Sequence, residues 1–124
     1  MRKTVSSLVI ALVLGWTGAV YAGDFQRGVE AYRAGDYATA LREFQELASA
    51  GDASAQNNLG RMYDNGQGVV QDYISAHMWF NIAAASGGKK AKENRDIVAK
   101  RMTPDQIAEA QKLAREWMEK HQAK

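Results

Sequence analysis

Residues 53–88 read ASAQNNLGRMYDNGQGVVQDYISAHMWFNIAAASGG, and this stretch decides the fold. Its apolar residues fall first at Ala55, Leu59, Met62 and Tyr63, a helical spacing, and the pattern stops at Asp64-Asn65-Gly66-Gln67-Gly68. It resumes at Ile74, Met78 and Ile82, with Ala76, Trp79 and Ala83 beside them. Two helices joined by a glycine-rich turn are expected, with Gly66 as the left-handed residue that ends the first. Gly60, Ala76, Ala83 and Ala84 let the pair approach closely, while Trp79 and Phe80 fill the space between layers.

Working outward, the chain repeats itself. An offset of 36 aligns Asp36 with Asp72, Tyr37 with Tyr73, Ala40 with Ala76, Phe44 with Phe80, Ala48 with Ala84 and Gly51 with Gly87. Upstream the offset becomes 31, aligning Tyr32 with Tyr63 and Gly35 with Gly66, so the second copy carries a longer loop around Gln67 to Gln71. Copy one spans about 24–51 and copy two about 53–88. A further helix, Lys89 to Arg101, aligns Ala91 with Ala55 and Asn94 with Asn58 and reads as the start of a partial third copy within about 89–121. Thr103-Pro104-Asp105-Gln106 then has the form of a capping box with proline at the first helical position. The helix it opens, Pro104 to about His121, has Ile107, Ala110, Leu113, Ala114 and Trp117 on one stripe, the profile of a cap covering the end of a stack.

The second copy, with Leu59-Gly60, Tyr63, Gly66, Gly68, then Ala76, Trp79-Phe80, Ala83-Ala84 and Gly87, resembles a Sel1-like repeat, a relative of the tetratricopeptide repeat with a longer inter-helix loop. The resemblance is close over residues 53–88; residues 24–51 look like a shorter, more tetratricopeptide-like copy. It implies an all-α, short right-handed solenoid of antiparallel helix pairs with a C-terminal capping helix. It also implies an adaptor or scaffold that holds proteins or peptides, and no reaction. One secreted branch of such proteins is cysteine-rich and associated with penicillin binding or β-lactamase activity; this chain has no cysteine, so that activity is not carried over.

The first residues read as an export signal instead of part of the domain. Arg2 and Lys3 precede an apolar run from Leu8 to Leu14, and Val20-Tyr21-Ala22 forms a small-residue exit, which predicts a signal peptide at 1–22 cleaved after Ala22. The run falls short of the roughly 20 apolar residues a spanning helix needs, so no stable membrane insertion is expected after cleavage. The remaining domain, 23–124, is expected in the periplasm or outside the cell. Losing Arg2 and Lys3 from sixteen basic residues leaves them level with the fourteen acidic ones. The balance is uneven: residues 23–88 hold four basic and eight acidic side chains, and residues 89–124 hold ten and six.

Composition and motifs exclude most chemistry. With 46% hydrophobic and 24% charged residues in 124, the chain has room for one folded domain. The absence of cysteine removes disulfides, thiolate metal sites and thiol catalysis. His77 and His121 fit no metal pattern, and His77 reads as a packed histidine beside Met78-Trp79-Phe80. Glu43 with Glu46, and Glu116 with Glu119, read as carboxylate pairs on exposed helix faces. No catalytic constellation, metal site or cofactor is expected, and export together with the lack of a binding motif argues against nucleic acid.

What remains is a surface. Helical solenoids bind along the face lined by the first helix of each pair. In copy two the polar residues of that helix not needed for packing are Asn57, Arg61 and Asp64, which share one face. Their counterparts at an offset of 36 are Glu93, Ile97 and Lys100, and in copy one Phe25, Val29 and Arg33. Asn57, Arg61, Asp64, Glu93 and Lys100 are the expected partner-binding residues. Two other readings stay open: a cell-wall or β-lactam-hydrolysing enzyme like the cysteine-rich relatives, and an assembly factor of an envelope complex that docks through the Trp117-bearing helix.

Overall fold

The computed structural model of the chain describes residues 25–122; the leader read at residues 1–22 and its exit at Ala22 lie outside them. Six helices and no strand are present among the described residues: α1 (25–33), α2 (Tyr37–Ser49), α3 (Ala53–Asn65), α4 (Tyr73–Ala85), α5 (Lys89–Ala99) and α6 (Pro104–Gln122). The aspartates that recur along the chain are why the helices begin where they do. Asp36 accepts a hydrogen bond from the Thr39 amide, Asp52 from the Ala55 amide at 2.8 Å, and Asp72 from the Ile74 and Ser75 amides. Each satisfies a donor that the first turn leaves without an intrahelical partner. Hydrogen bonds from Thr39, side chain before backbone, hold the Asp36 carboxyl below its ordinary range.

The helix ends follow the sequence closely. Gly66 caps α3 at φ 69, ψ 43, in the left-handed region expected of it. At the start of α6, Thr103 and Gln106 exchange hydrogen bonds: the Thr103 amide donates to Gln106 Oε1 at 2.9 Å and the Gln106 amide donates to Thr103 Oγ1 at 3.2 Å. α5 stops at Ala99, two residues short of the expected Arg101. There the Lys100 and Arg101 amides turn back to the carbonyls of Ile97 and Val98, three residues behind, and the last turn tightens.

The helices stack in order. α3 lies between α2 and α4; α4 touches α3, α5 and α6; and α5 reaches α3. α4 carries apolar side chains around most of its circumference, as suits a helix enclosed on three sides. α6 packs along α4, with Ala110 and Ala114 fully buried and Trp117 edge-on to Trp79 at 5.8 Å. One cluster joins Ala31, Ala40, Phe44, Ala48, Ala55, Leu59 and Met62, and another joins Ala76, Phe80 and Val98; Tyr63 packs against both.

Within each pair the approach is set by a glycine facing a phenylalanine. A β-carbon on Gly60 would lie 2.6 Å from the Phe80 ring, and one on Gly28 would lie 2.8 Å from the Phe44 ring. Both rings are 1% exposed, so neither has room to yield. The motif residues Leu59, Gly60, Ala76, Phe80 and Ala83 are buried, while Tyr63, Trp79 and Ala84 are half-buried.

The loop that lengthens copy two folds back on copy one. Gln67 Oε1 accepts a hydrogen bond from the Tyr32 hydroxyl at 2.9 Å, and Gln67 Nε2 donates to the Tyr37 hydroxyl at 3.5 Å. Gly68, at φ 75, lies so close that a β-carbon would meet the Tyr37 carbonyl at 2.9 Å. Gln71 ties the other end of the loop down by donating to the Asp64 carbonyl at 2.8 Å.

Among the described residues three polar side chains are buried, and one corrects the sequence reading. Glu43, expected on an exposed face with Glu46, is 4% exposed on α2, where Arg27 of α1 reaches it at 3.3 Å. Its position beside Phe44 and three residues after Ala40 turns it inward, and the guanidinium offsets the cost of burying its charge. Gln56 donates to the Ala48 carbonyl at 3.0 Å and bridges α2 to α3. His77 is 3% exposed, and its Nδ1 has no hydrogen-bond partner in the protein. Burial first, then Arg95, lowers its pKa from the ordinary histidine value, with Asp96 opposing.

Two outcomes follow. Gly60→Leu drives a side chain into a ring that cannot move and is expected to cost about 1–3 kcal/mol, read as a lower midpoint in urea by circular dichroism; Phe80→Leu in the same chain should return part of that loss. For His77 the folded pKa lies below the unfolded one, so its contribution is complete above the unfolded value of about 6.5 and is lost as pH falls below it. The melting temperature should therefore decline on acidification from pH 7.5 to 5.5, and His77→Gln should flatten that decline.

Candidate functional site

The first helices of successive copies, α1, α3 and α5, stand side by side, and their polar side chains meet in rungs. Asn94 Nδ2 of α5 donates to Asn57 Oδ1 of α3 at 3.0 Å. Arg101, just past the end of α5, pairs with Asp64 of α3 at 3.3 Å. On the other side of α3, the Arg61 guanidinium lies 5.8 Å from the centre of the Tyr32 ring of α1, within reach of a cation–π attraction. Tyr32 is in turn held by Gln67 and packs edge-on to Tyr37 at 5.4 Å.

The expected binding residues thus divide. Asn57 and Asp64 are half-buried and engaged between repeats, whereas Arg61 is exposed. Glu93 and Lys100 are exposed on α5 and at its C-cap, and neither reaches Asn57 or Asp64. The groups that do reach them, Asn94 and Arg101, each lie one position further along than the expected counterparts. A side chain that bridges two parallel helices touches a neighbour one step on from its equivalent, and the repeat offset alone does not show this. In copy one, Phe25 and Val29 pack on the core, Phe25 lying 5.8 Å from Phe44; the offset of 31 that aligns Tyr32 with Tyr63 instead puts the counterparts of Asn57, Arg61 and Asp64 at Gln26, Glu30 and Arg33, all exposed.

Ile97, a large apolar residue between Asn94 and Arg101 on α5, is 50% exposed. Towards the start of α5, a cleft of about 270 Å³ lies between α3 and α5, lined by Ala53, Ser54, Asn57, Gly88, Lys89, Lys90 and Ala91. Gly88 gives α5 no side-chain cap, which leaves the amides of its first turn without a capping side chain.

A larger cleft, of about 460 Å³, lies where α2 and α4 end against the last turns of α6. Trp117 and Met118 line it, with His121 stacked on Trp117 at 3.7 Å and its Nδ1 2.8 Å from the Trp117 carbonyl. Among the described residues no group of three or more His, Cys, Asp or Glu side chains is placed to hold a metal ion, and no helix is long and apolar enough to cross a membrane.

Comparison with known proteins agrees with this geometry. Residues 53–88 match the family model described as Sel1 repeat. No curated protein matches the chain. Among solved structures it is similar to the crystal structure of a protective antigen present in uropathogenic Escherichia coli strains, described as displaying an SLR fold. The two share 32% identity with a TM-score of 0.74 over 81% of this chain. The match covers 22% of that protein, so the chain spans about a fifth of its length. The repeat geometry, the family match and the structural likeness together support a Sel1-like repeat protein, built as an all-α helical-repeat solenoid.

Proposed function

We propose that this chain is an exported, non-enzymatic interaction module that holds an extended peptide or a partner protein on the face formed by α1, α3 and α5. Repeat folds of this kind generally serve as protein–protein interaction modules, and the observation that carries the assignment here is local. Two bonded rungs, Asn57 with Asn94 and Asp64 with Arg101, fix α3 against α5 and leave Ile97 half-exposed between them, while Arg61 stays exposed on the α1 side of α3, beside the Tyr32 ring. A rigid face that keeps an apolar side chain and a guanidinium accessible has the elements of an interface anchor. Arg61 and Ile97 are the residues assigned to contact, and Asn57 and Asp64 the residues that hold the face in shape.

Export rests on the reading of residues 1–22. Intact-mass measurement on the protein recovered from an envelope fraction should find a chain beginning at Gly23; a full-length chain found in the cytoplasm overturns it. The face is tested by in-cell crosslinking and pull-down of the tagged protein beside an Arg61→Ala, Ile97→Asp double variant, which leaves both rungs intact. With helicity equal by circular dichroism, the partner should fall at least tenfold in the variant, and undiminished capture excludes this face.

A further inference from the structure

We infer that the seam between α4 and α5 is an acid-sensitive hinge: a proton taken up at His77 loosens α5 from α4, and the rungs that shape the face go with it. His77 is 3% exposed, yet its Nδ1 has no hydrogen-bond partner in the protein. Asn81, one turn further along α4, accepts a hydrogen bond from Arg95 of α5 at 3.0 Å, so His77 and Asn81 share the side of α4 that α5 covers. A neutral ring leaves one polar atom unmet there. A charged ring would have to give up its water, and a buried charge without a partner is far more costly than a buried dipole. The surroundings do not supply that partner. Burial itself disfavours the charged ring most; on α5 Arg95 adds to the effect, and Asp96, which opposes it, is exposed and bonded to Arg95 at 3.3 Å. α4 has no other charged side chain, and its N-cap Asp72 is engaged with the amides of Ile74 and Ser75. α3 contributes the Tyr63 ring beside Ala76, Phe80 and Val98, while its Arg61 and Asp64 are engaged with Tyr32 and Arg101. α6 meets α4 through Ala110, Ala114 and Trp117, and its charged side chains from Asp105 to Lys120 are exposed.

α5 is the element placed to yield. It has 11 residues against the 13 of α3 and α4, its first turn has no side-chain cap, and only Ala91 and Val98 among its residues are buried. α6 packs on α4 directly, and α5 and α6 do not pack as a pair. The repeat shows why: Asp96 stands 36 residues after Gly60, and a side chain at that place leaves no seat for a ring such as Phe80. α5 can therefore swing out on Gly87-Gly88 and on residues 100–103 while α6 stays on α4. The Asn57–Asn94 and Asp64–Arg101 contacts cross this gap and end when it opens. Above the unfolded histidine value of about 6.5 the ring is neutral whether the seam is open or closed. Below it the open form takes the proton more readily, and the ratio of open to closed rises as pH falls. The effect on a bound partner rests on the function proposed above; the hinge itself does not.

Amide hydrogen exchange followed by NMR on the purified chain, with no partner present, tests this. Protection factors, which correct for the pH dependence of exchange itself, are compared at pH 7.5 and 5.0. At both values the amides of Lys92 to Ala99 should be at least tenfold less protected than those of Leu59 to Tyr63 in α3 and Ala110 to Ala114 in α6, the sign that α5 opens by itself. On acidification the α5 amides should lose protection at least fivefold, with a ceiling of about thirtyfold over the 1.5 pH units below 6.5. His77→Gln should abolish that loss, and His121→Gln should leave it unchanged. Asn81→Asp pairs with Arg95 and sets a carboxylate one turn from His77, so it should cut the loss at least by half; it decides the matter where His77→Gln does not fold. Equal protection in α3, α5 and α6 means that α5 opens only with the whole stack, and overturns the hinge. Unchanged protection of α5 between the two pH values, a loss that persists in His77→Gln, or one undiminished in Asn81→Asp also overturns it. These readouts involve no partner: a hinge that fails beside a partner still lost in the Arg61→Ala, Ile97→Asp variant leaves the face standing, and a partner retained by that variant removes the face and leaves the hinge.

Discussion

Gly60 offers Phe80 the space of a missing side chain, and the spacing of the helix pairs depends on that vacancy. The ring is 1% exposed because it lies directly against the α3 backbone, and burying a phenylalanine side chain contributes on the order of 1.5–3 kcal/mol. Gly28 and Phe44 repeat the arrangement in the first copy. With the helices of a pair held this closely, their outer surfaces become flat enough for the next copy to stack, and alanines at 40, 48, 55, 76 and 83 keep the remaining contacts narrow. Two copies make a small core. Its stability therefore relies on a few tight contacts, and a single overpacked position has leverage over the whole stack.

Close packing within a pair does not by itself fix one copy relative to the next. That task falls to polar side chains at the edges. Gln67, from the loop that lengthens copy two, reaches two tyrosines of copy one, while Asn57 with Asn94 and Asp64 with Arg101 tie α3 to α5. Hydrogen bonds and exposed ion pairs of this kind contribute little each, about 0.5–1.5 kcal/mol for the former and less for the latter. Their effect is directional: they select a register between surfaces that apolar packing alone would let slide. The same rungs decide which first-helix side chains are left for a partner.

Much of this was legible in the sequence because it depends on short-range chemistry. Asp36 and Asp72, aligned by the repeat, are helix caps; Gly66 has the positive φ its place after Asn65 demands; and Thr103 with Gln106 forms the reciprocal cap its spacing announces. Glu43 was legible in phase, since it follows Ala40 by three and precedes Phe44, yet its charge argued for the surface until Arg27 was seen to meet it. The partners of Asn57 and Asp64 were not legible. Comparison at an offset of 36 finds residues that play equal parts in two copies, whereas contact between copies joins residues that play adjacent parts. The reach of Gln67 was hidden for a related reason, because a loop insertion carries no periodicity from which its side chains can be placed.

The division between rung and open position also separates the side chains that hold this face in shape from those it leaves accessible. Asn57 and Asp64 spend their hydrogen-bonding capacity inside the solenoid, so the accessible groups are separated by whole helical turns: the lysines at the start of α5, then Arg61 and Ile97, then Lys100. With the rungs already formed in the free protein, the face loses little conformational freedom on binding, and the ordering cost falls mainly on the segment it receives.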